Sequence, residues 1–274
     1  MALTWIDGRP AALLPVGDRG LAYGDGLFET VAVRHGRIAL LERHLQRLGE
    51  GVRRLRLPLD LDLVRAELLA FAGELGSGVA KLIVTRGDGL RGYAPPAEAH
   101  CRRILSGSPP PAYPSRHARE GVRLYPCATR LAEQPLLAGL KHLNRLEQVL
   151  ARAEWQDSAC AEGLMRDASG RVIEGVFSNL FVVKDGELLT PALQRCGVAG
   201  VMRAEILARA TAAGIPLRIC DLDHAQLLAA DEVFLCNSQY GIWPVVALAE
   251  HVWPLGELTR KLQALLGDLL DARS

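Results

Sequence analysis

Lys141 lies in the stretch Gly139-Leu140-Lys141-His142-Leu143-Asn144-Arg145-Leu146-Glu147-Gln148-Val149-Leu150, a glycine-containing loop directly ahead of an amphipathic helix. It is one of four lysines (Lys81, Lys141, Lys184, Lys261) in a chain whose 32 basic residues are otherwise arginine. Arginine keeps its proton in proteins, whereas a buried lysine can lose one and attack a carbonyl. Taken alone, Lys141 reads as a solvated surface residue. Its loop and its neighbours elsewhere in the chain make it a candidate amine nucleophile.

Three further features point to the same chemistry. Glu174 opens the turn Glu174-Gly175-Val176-Phe177-Ser178-Asn179 between two strands, where an exposed turn carboxylate is the plainer reading. Gly197-Val198-Ala199-Gly200-Val201-Met202-Arg203 opens a helix. Arg47 lies in His44-Leu45-Gln46-Arg47-Leu48 on the polar face of an early helix, the ordinary place for a surface arginine. A pyridoxal phosphate enzyme needs these parts: an amine for a Schiff base and a carboxylate that keeps the pyridine nitrogen protonated. It also needs helix N-terminal N–H groups and an arginine for the phosphate.

The elements that must position these residues follow from periodicity. Leu3 to Ile6 reads as a short strand, and Thr30 to Arg34 and Arg37 to Leu40 as strands flanking the turn His35-Gly36. Leu41, Leu45, Leu48, Val52 and Leu55 fall on one helical face, and Leu61 to Leu75 is a second helix. Val79 to Thr85 is a strand leading into Arg86-Gly87-Asp88-Gly89-Leu90-Arg91-Gly92-Tyr93. That loop contains a literal G-x-G-x-x-G, but it runs into Tyr93-Ala94-Pro95-Pro96, which cannot open the helix a dinucleotide site requires. It is either a plain turn or a site loop for an anionic ligand. Pro109, Pro110, Pro111 and Pro114 mark a linker. The expected organisation is an N-terminal α/β domain over 1–108, a linker over 109–118, and a C-terminal cofactor-binding domain over 119–274. In the second half, Gly121 to Ala128 is a strand, and the helix after Lys141 has Leu143, Leu146, Val149, Leu150 and Ala153 as its apolar positions. With 49% apolar and 23% charged residues the chain can bury a sizeable core, and a net charge of +1 gives no reason to expect nucleic acid or an anionic membrane. The six scattered cysteines form no C-x-x-C pair, so neither a metal site nor a redox motif is suggested, and reduced thiols in a cytoplasmic protein are expected. There is no basic region with a following apolar run at the N-terminus and no apolar run of membrane-spanning length.

At these residues the sequence resembles the fold-type IV pyridoxal phosphate enzymes, which include branched-chain aminotransferases, D-amino acid aminotransferases and 4-amino-4-deoxychorismate lyases. The likeness spans roughly Gly24 to Pro244. Lys141 to Leu150, Gly24-Asp25-Gly26-Leu27-Phe28-Glu29-Thr30, Arg91-Gly92-Tyr93 and Cys236-Asn237 look most like the lyases. The resemblance implies a two-domain α/β (α+β) homodimer that binds pyridoxal 5'-phosphate between its domains. Lys141 would carry the Schiff base and then transfer a proton. Glu174 would pair with the pyridine nitrogen, Arg47 would bind the phosphate, the backbone of Val201 and Met202 would cap it, and Ser238 would add a hydroxyl. Ser178 and Asn179 would shape the ring environment. Arg91 and Tyr93 match a substrate-carboxylate loop, and Thr30 marks a position where lyases and aminotransferases differ. His44 and His142 are read as structural.

The implied reaction converts 4-amino-4-deoxychorismate to 4-aminobenzoate and pyruvate through a Schiff base with the substrate amine, a step in folate precursor synthesis. Thr30 or Lys141 would protonate the leaving fragment. An aminotransferase acting on D-amino or branched-chain amino acids is the alternative, since both reactions begin with the same proton abstraction. A non-catalytic binding protein is disfavoured, because a pure binder needs no Schiff-base amine together with a pyridinium partner.

Overall fold

Alternating buried and half-buried residues make Gly26–Arg34 the organising strand of the first half of the protein. The structure, a computed structural model, describes residues 3–89 and 91–270. Its contacts divide the chain into two units: Met1–Ala112 with Leu140–Asn144, and Tyr113–Gly139 with Arg145–Ser274. The division falls inside the proline-rich stretch. The placement of Leu140–Asn144 in the first unit is not a feature that a linear domain boundary can express.

In the first unit, β1 (Thr4–Ile6) and β2 (Arg9–Pro10) precede a one-turn helix α1 (Arg19–Tyr23). Next come β3 (Gly26–Arg34), β4 (Arg37–Ile38), helices α2 (Leu41–Leu55) and α3 (Leu61–Leu75), β5 (Gly78–Thr85) and β6 (Arg102–Ser108). The strands form an antiparallel sheet in the order β2-β1-β6-β5-β3-β4. One sheet face sends Leu27, Val31 and Val33 into a core with Leu45 and Leu48 of α2 and Val64, Leu68 and Phe71 of α3. Burying each such side chain contributes about 1.5–3 kcal/mol. Because β4 pairs only with the far end of β3, the first residues of β3 have an open edge. Residues 140–144 fill it: Leu143 N–H donates to Gly26 O at 3.1 Å, and Leu140 joins the first unit's core.

In the second unit, α4 (Arg116–Glu120), β7 (Val122–Leu131), α5 (Leu146–Ala153), β8 (Cys160–Asp167) and β9 (Val172–Gly175) come first. Then follow β10 (Asn179–Lys184), β11 (Glu187–Pro191), α6 (Val201–Ala212), β12 (Leu217–Cys220), α7 (His224–Leu228), β13 (Glu232–Asn237), β14 (Gly241–Leu248), β15 (His251–Val252), α8 (Glu257–Leu265) and α9 (Gly267–Leu270). The mixed sheet runs β12-β11-β10-β13-β14-β7-β8-β9, and β9 also pairs with β10. The path therefore closes on itself, and the closing pair is Glu174 with Asn179. The core behind it includes Leu164, Leu180, Leu235 and Val245. The apolar positions of α5 do not point into this core: Leu146, Val149 and Leu150 are 75%, 60% and 60% exposed, and only Ala151 is buried. All six cysteines are free. Among the described residues no helix is long and apolar enough to cross a membrane, and no His, Cys, Asp and Glu group could hold a metal ion.

Gly26 sits where β3, β5 and the 140–144 segment meet. A Cβ there would lie 2.2 Å from Val84 O and 2.9 Å from Leu143 Cδ1. Gly26→Ala is expected to destabilise the protein by about 1–3 kcal/mol through overpacking. A fall in the urea midpoint checks this, and an unchanged midpoint would count against such a tight junction.

Candidate active site

The first unit presents the lysine by backbone pairing. Phe28 N–H donates to Lys141 O at 2.9 Å, and His142 forms a bridge with Leu27. Opposed residues of an antiparallel pair share a face, so Lys141 emerges on the side of Phe28 while Leu27 and Leu140 enter the core. Lys141 Nζ lies 4.3 Å from the centroid of the Phe28 ring, a cation–π contact. Thr30, two residues along the strand, takes the same face as Phe28. Lys81, opposite Thr30 on β5, also reaches the Phe28 ring, with Nζ 5.4 Å from its centroid.

Glu29 points the other way, into the core layer, and is only 1% exposed. A buried carboxylate needs partners. His44 and Arg47, three residues apart on one face of α2, supply them. His44 Nδ1 lies 2.6 Å from Glu29 Oε2, and Arg47 donates through Nε to Oε1 at 2.8 Å and through Nη2 to Oε2. Burial pushes the Glu29 carboxyl up, but the Arg47 charge and the His44 contact outweigh it and hold the pKa at about 2. Burial lowers His44, against the pull of Glu29. Its Nδ1 faces the carboxylate, and its buried Nε2 has no hydrogen-bond partner among the described residues. Arg47 is therefore more than a surface arginine: one edge of its guanidinium is engaged by Glu29. Glu29 was not singled out as a site residue from the sequence, although an acid in the inward register of Leu27, Val31 and Val33 was the available signal.

In the second unit a hydrogen-bonded chain joins the carboxylate to the helix start. Glu174 is 4% exposed. Its Oε2 accepts from Val198 N–H at 2.9 Å and from Asn179 Nδ2 at 3.3 Å. Asn179 Nδ2 also donates to Val198 O, and Asn179 Oδ1 accepts from Gly200 N–H at 3.0 Å. Gly200 is the N-cap of α6, no side chain caps that helix, and Val201 and Met202 are buried behind it. Ser238 follows the end of β13, where Cys236 pairs with Asn179 and Asn237 donates to Phe177 O at 3.3 Å. The structure thus gathers Glu174, Asn179, the α6 start and the β13 end within one unit. Ser178 turns the other way: its hydroxyl donates to Glu162 at 2.8 Å. Arg145 lies in the same unit, where burial lowers its pKa against the opposing charges of Glu174 and Glu147.

Glu162 is fully buried and holds the turn between Glu174 and Asn179. It accepts from the N–H groups of Gly163, Val176 and Phe177 and from the Ser178 hydroxyl. Burial pushes its carboxyl up to about 7 despite those donors. Arg91 and Tyr93 stand on an exposed loop of the first unit, with Tyr93 87% exposed.

These donor sets fit pyridoxal 5'-phosphate. They comprise a positioned amine, a buried carboxylate fixed by an amide, and a buried helix start whose cap residue is a glycine that makes no side-chain cap.

Glu29 and Glu162 should give opposite pH signatures. The depressed pKa of Glu29 means its stabilisation is present above pH 4.5 and lost as pH falls towards 2. Glu29→Gln is expected to cost about 3 kcal/mol at pH 7, with its Tm deficit shrinking between pH 5 and pH 2.5. The raised pKa of Glu162 means its contribution is present below pH 4.5 and lost as pH rises through about 7. Glu162→Gln is expected to flatten the fall of Tm between pH 5 and pH 8. Thermal unfolding from about pH 2.5 to pH 8 checks both, and parallel profiles for the variants and the parent would refute the assignment.

Comparison with known proteins identifies the family. The model of the amino-transferase class IV family matches residues 26–248. An aminodeoxychorismate lyase of Vibrio harveyi is 37% identical over 267 residues, covering 96% of this chain and 98% of that protein. The crystal structure of 4-amino-4-deoxychorismate lyase from Pseudomonas aeruginosa is 72% identical, with a TM-score of 0.97 over 98% of this chain and 100% of that one. The branched-chain amino acid aminotransferase of Escherichia coli is 25% identical, with a TM-score of 0.86 over 97% of this chain and 93% of its own. Matched over residues 26–248 by the family model, the chain belongs to the amino-transferase class IV family.

Proposed function

We propose that this protein converts 4-amino-4-deoxychorismate to 4-aminobenzoate and pyruvate, using pyridoxal 5'-phosphate. The observation that carries the reading is the full-length likeness to two such lyases, one of them at high identity. The cofactor, when bound, supplies an electron sink conjugated to the substrate amine. Lys141 is the residue that takes the proton from the carbon bearing that nitrogen, and its backbone pairing with Phe28 fixes where the amine acts. Glu174 holds a proton at the pyridine nitrogen, and Asn179 and Val198 fix its carboxylate. The N–H groups of Val201 and Met202, the Ser238 hydroxyl and Arg47 bind the phosphate, with Glu29 and His44 orienting Arg47. Ring-carbon proton loss and departure of the enolpyruvyl oxygen aromatise the ring. The departing fragment takes up one proton at carbon to become pyruvate, delivered by Lys141 or Thr30, so the products together have the composition of the substrate. Arg91 and Tyr93 hold a substrate carboxylate. The reaction places the protein in 4-aminobenzoate and folate precursor synthesis, and the free cysteines suit a cytoplasmic setting.

The purified protein should be yellow and should release pyruvate and 4-aminobenzoate from aminodeoxychorismate without any keto acid. Lys141→Ala should lower kcat by at least about 10³-fold, since it removes the acting amine. Borohydride should trap the cofactor on Lys141 in the parent only. Turnover only when an amino donor is paired with a keto acid would favour an aminotransferase instead.

The reading includes a homodimer. Leu146, Val149 and Leu150, spaced i, i+3, i+4 on α5, form an exposed apolar stripe, and the nearby loop adds Leu136 at 78% exposure. Sedimentation velocity should give a dimer for the parent, and Val149→Glu should shift it towards monomer. A monomeric parent at micromolar concentration would refute the dimer.

A further inference from the structure

We infer that Arg19, with Tyr23, is a positioning residue that holds the Arg91–Ala94 loop in its substrate-binding shape. This rests on the reading that Arg91 and Tyr93 contact a substrate carboxylate. Arg19 is 4% exposed, yet it serves an exposed loop. Its Nη1 donates to Gly92 O at 3.1 Å and to Ala94 O at 3.4 Å, and its Nη2 donates to Tyr93 O at 3.0 Å. Three successive carbonyls converge on one planar guanidinium. A rigid fork of donors can satisfy them together in only a narrow range of backbone conformations.

The fork is itself fixed. Arg19 Nε donates to Asp25 Oδ2 at 2.9 Å, and the same oxygen accepts from Arg86 Nε at 2.8 Å. Arg86 continues to Leu55 O and Arg56 O at the end of α2, the helix that carries His44 and Arg47. The two arginines outweigh burial and keep the Asp25 carboxyl below its usual range. Tyr23 adds a second hold: its hydroxyl accepts from Gly92 N–H at 3.1 Å, and its ring packs on Tyr93 with centroids 5.6 Å apart. Arg19 Cζ in turn lies 4.9 Å from the Tyr23 ring. The glycine-rich loop makes room for this, since a Cβ at Gly89 would lie 2.7 Å from Arg19 Cδ. A loop ordered before substrate arrives does not lose that conformational freedom on binding. The function of the staple is therefore affinity for the carboxylated substrate, with the proton-transfer step left to other residues.

Arg19→Lys keeps the charge and removes the fork, while Tyr23→Phe removes only the hydroxyl and guards against a variant that fails to fold. For Arg19→Lys on the cofactor-loaded enzyme, KM for aminodeoxychorismate should rise about tenfold with kcat within twofold. Amide exchange of residues 91–94 should quicken at least about tenfold relative to the rest of the first unit. Tyr23→Phe should raise KM about threefold. Arg91→Ala should raise KM comparably to Arg19→Lys, and the double variant should show no full addition of the two effects. Faster exchange without a KM change, or a loss of kcat at unchanged KM, overturns the inference. An unchanged KM for Arg91→Ala, with 4-aminobenzoate still formed, also overturns it and leaves the lyase reading standing. A parent that binds the cofactor but forms no 4-aminobenzoate overturns the lyase reading instead.

Discussion

Backbone pairing between Lys141 and Phe28 is the constraint on which the placement of this lysine in the first unit depends. A lysine side chain has four rotatable carbons, and a loop lysine would spread its amine over a wide volume. Here the register of an antiparallel bridge decides the side on which it emerges, and a one-residue slip would send it into the core in place of Leu140. The same register sets the opposite face. Once Phe28 and Thr30 face Lys141, Glu29 must face α2, and its burial then demands His44 and Arg47. Lysine placement and arginine orientation are therefore two results of one strand alternation.

The second unit solves a comparable problem by ring closure. Glu174 and Asn179 are the pair that closes the strand path, so the carboxylate sits at a seam where the turn could relax. Glu162 prevents that from within, binding three backbone N–H groups and the Ser178 hydroxyl. Its cost is a carboxyl held in a site that disfavours its charge. Asn179 carries the order onward to the α6 start, where the cap glycine brings no side chain of its own to the first N–H groups, an arrangement that suits an anion.

Much of this was legible in the residues. Alternation over Thr30 to Arg34 and the helical spacing of Leu41 to Leu55 located the first sheet and its helix, because both periods are set by local geometry. The glycines after Val79 to Thr85 were correctly separated from a dinucleotide motif, since prolines follow them. What remained hidden depends on partners distant in the chain. No local pattern shows that residues 140–144 pair with residues 26–28, nor that Glu162 faces the 175–178 turn. The apolar spacing of Leu146, Val149 and Leu150 was read correctly as helical, but periodicity carries no information on which side of a helix meets its own chain. Arg19 was passed over because arginine is so common here that its three carbonyl contacts leave no mark on composition.

The open edge of β3 has a consequence for the order in which the chain is made. The Asn144 side chain reaches Gly24 O across a sequence separation of 120 residues. During synthesis, the first sheet emerges and can fold well before residues 140–144 leave the ribosome. Until then, the backbone groups at the start of β3 are an unpaired strand edge, which invites pairing with another chain. The segment that carries Lys141 also covers that edge, so placement of that lysine and protection from aggregation occur in the same late event.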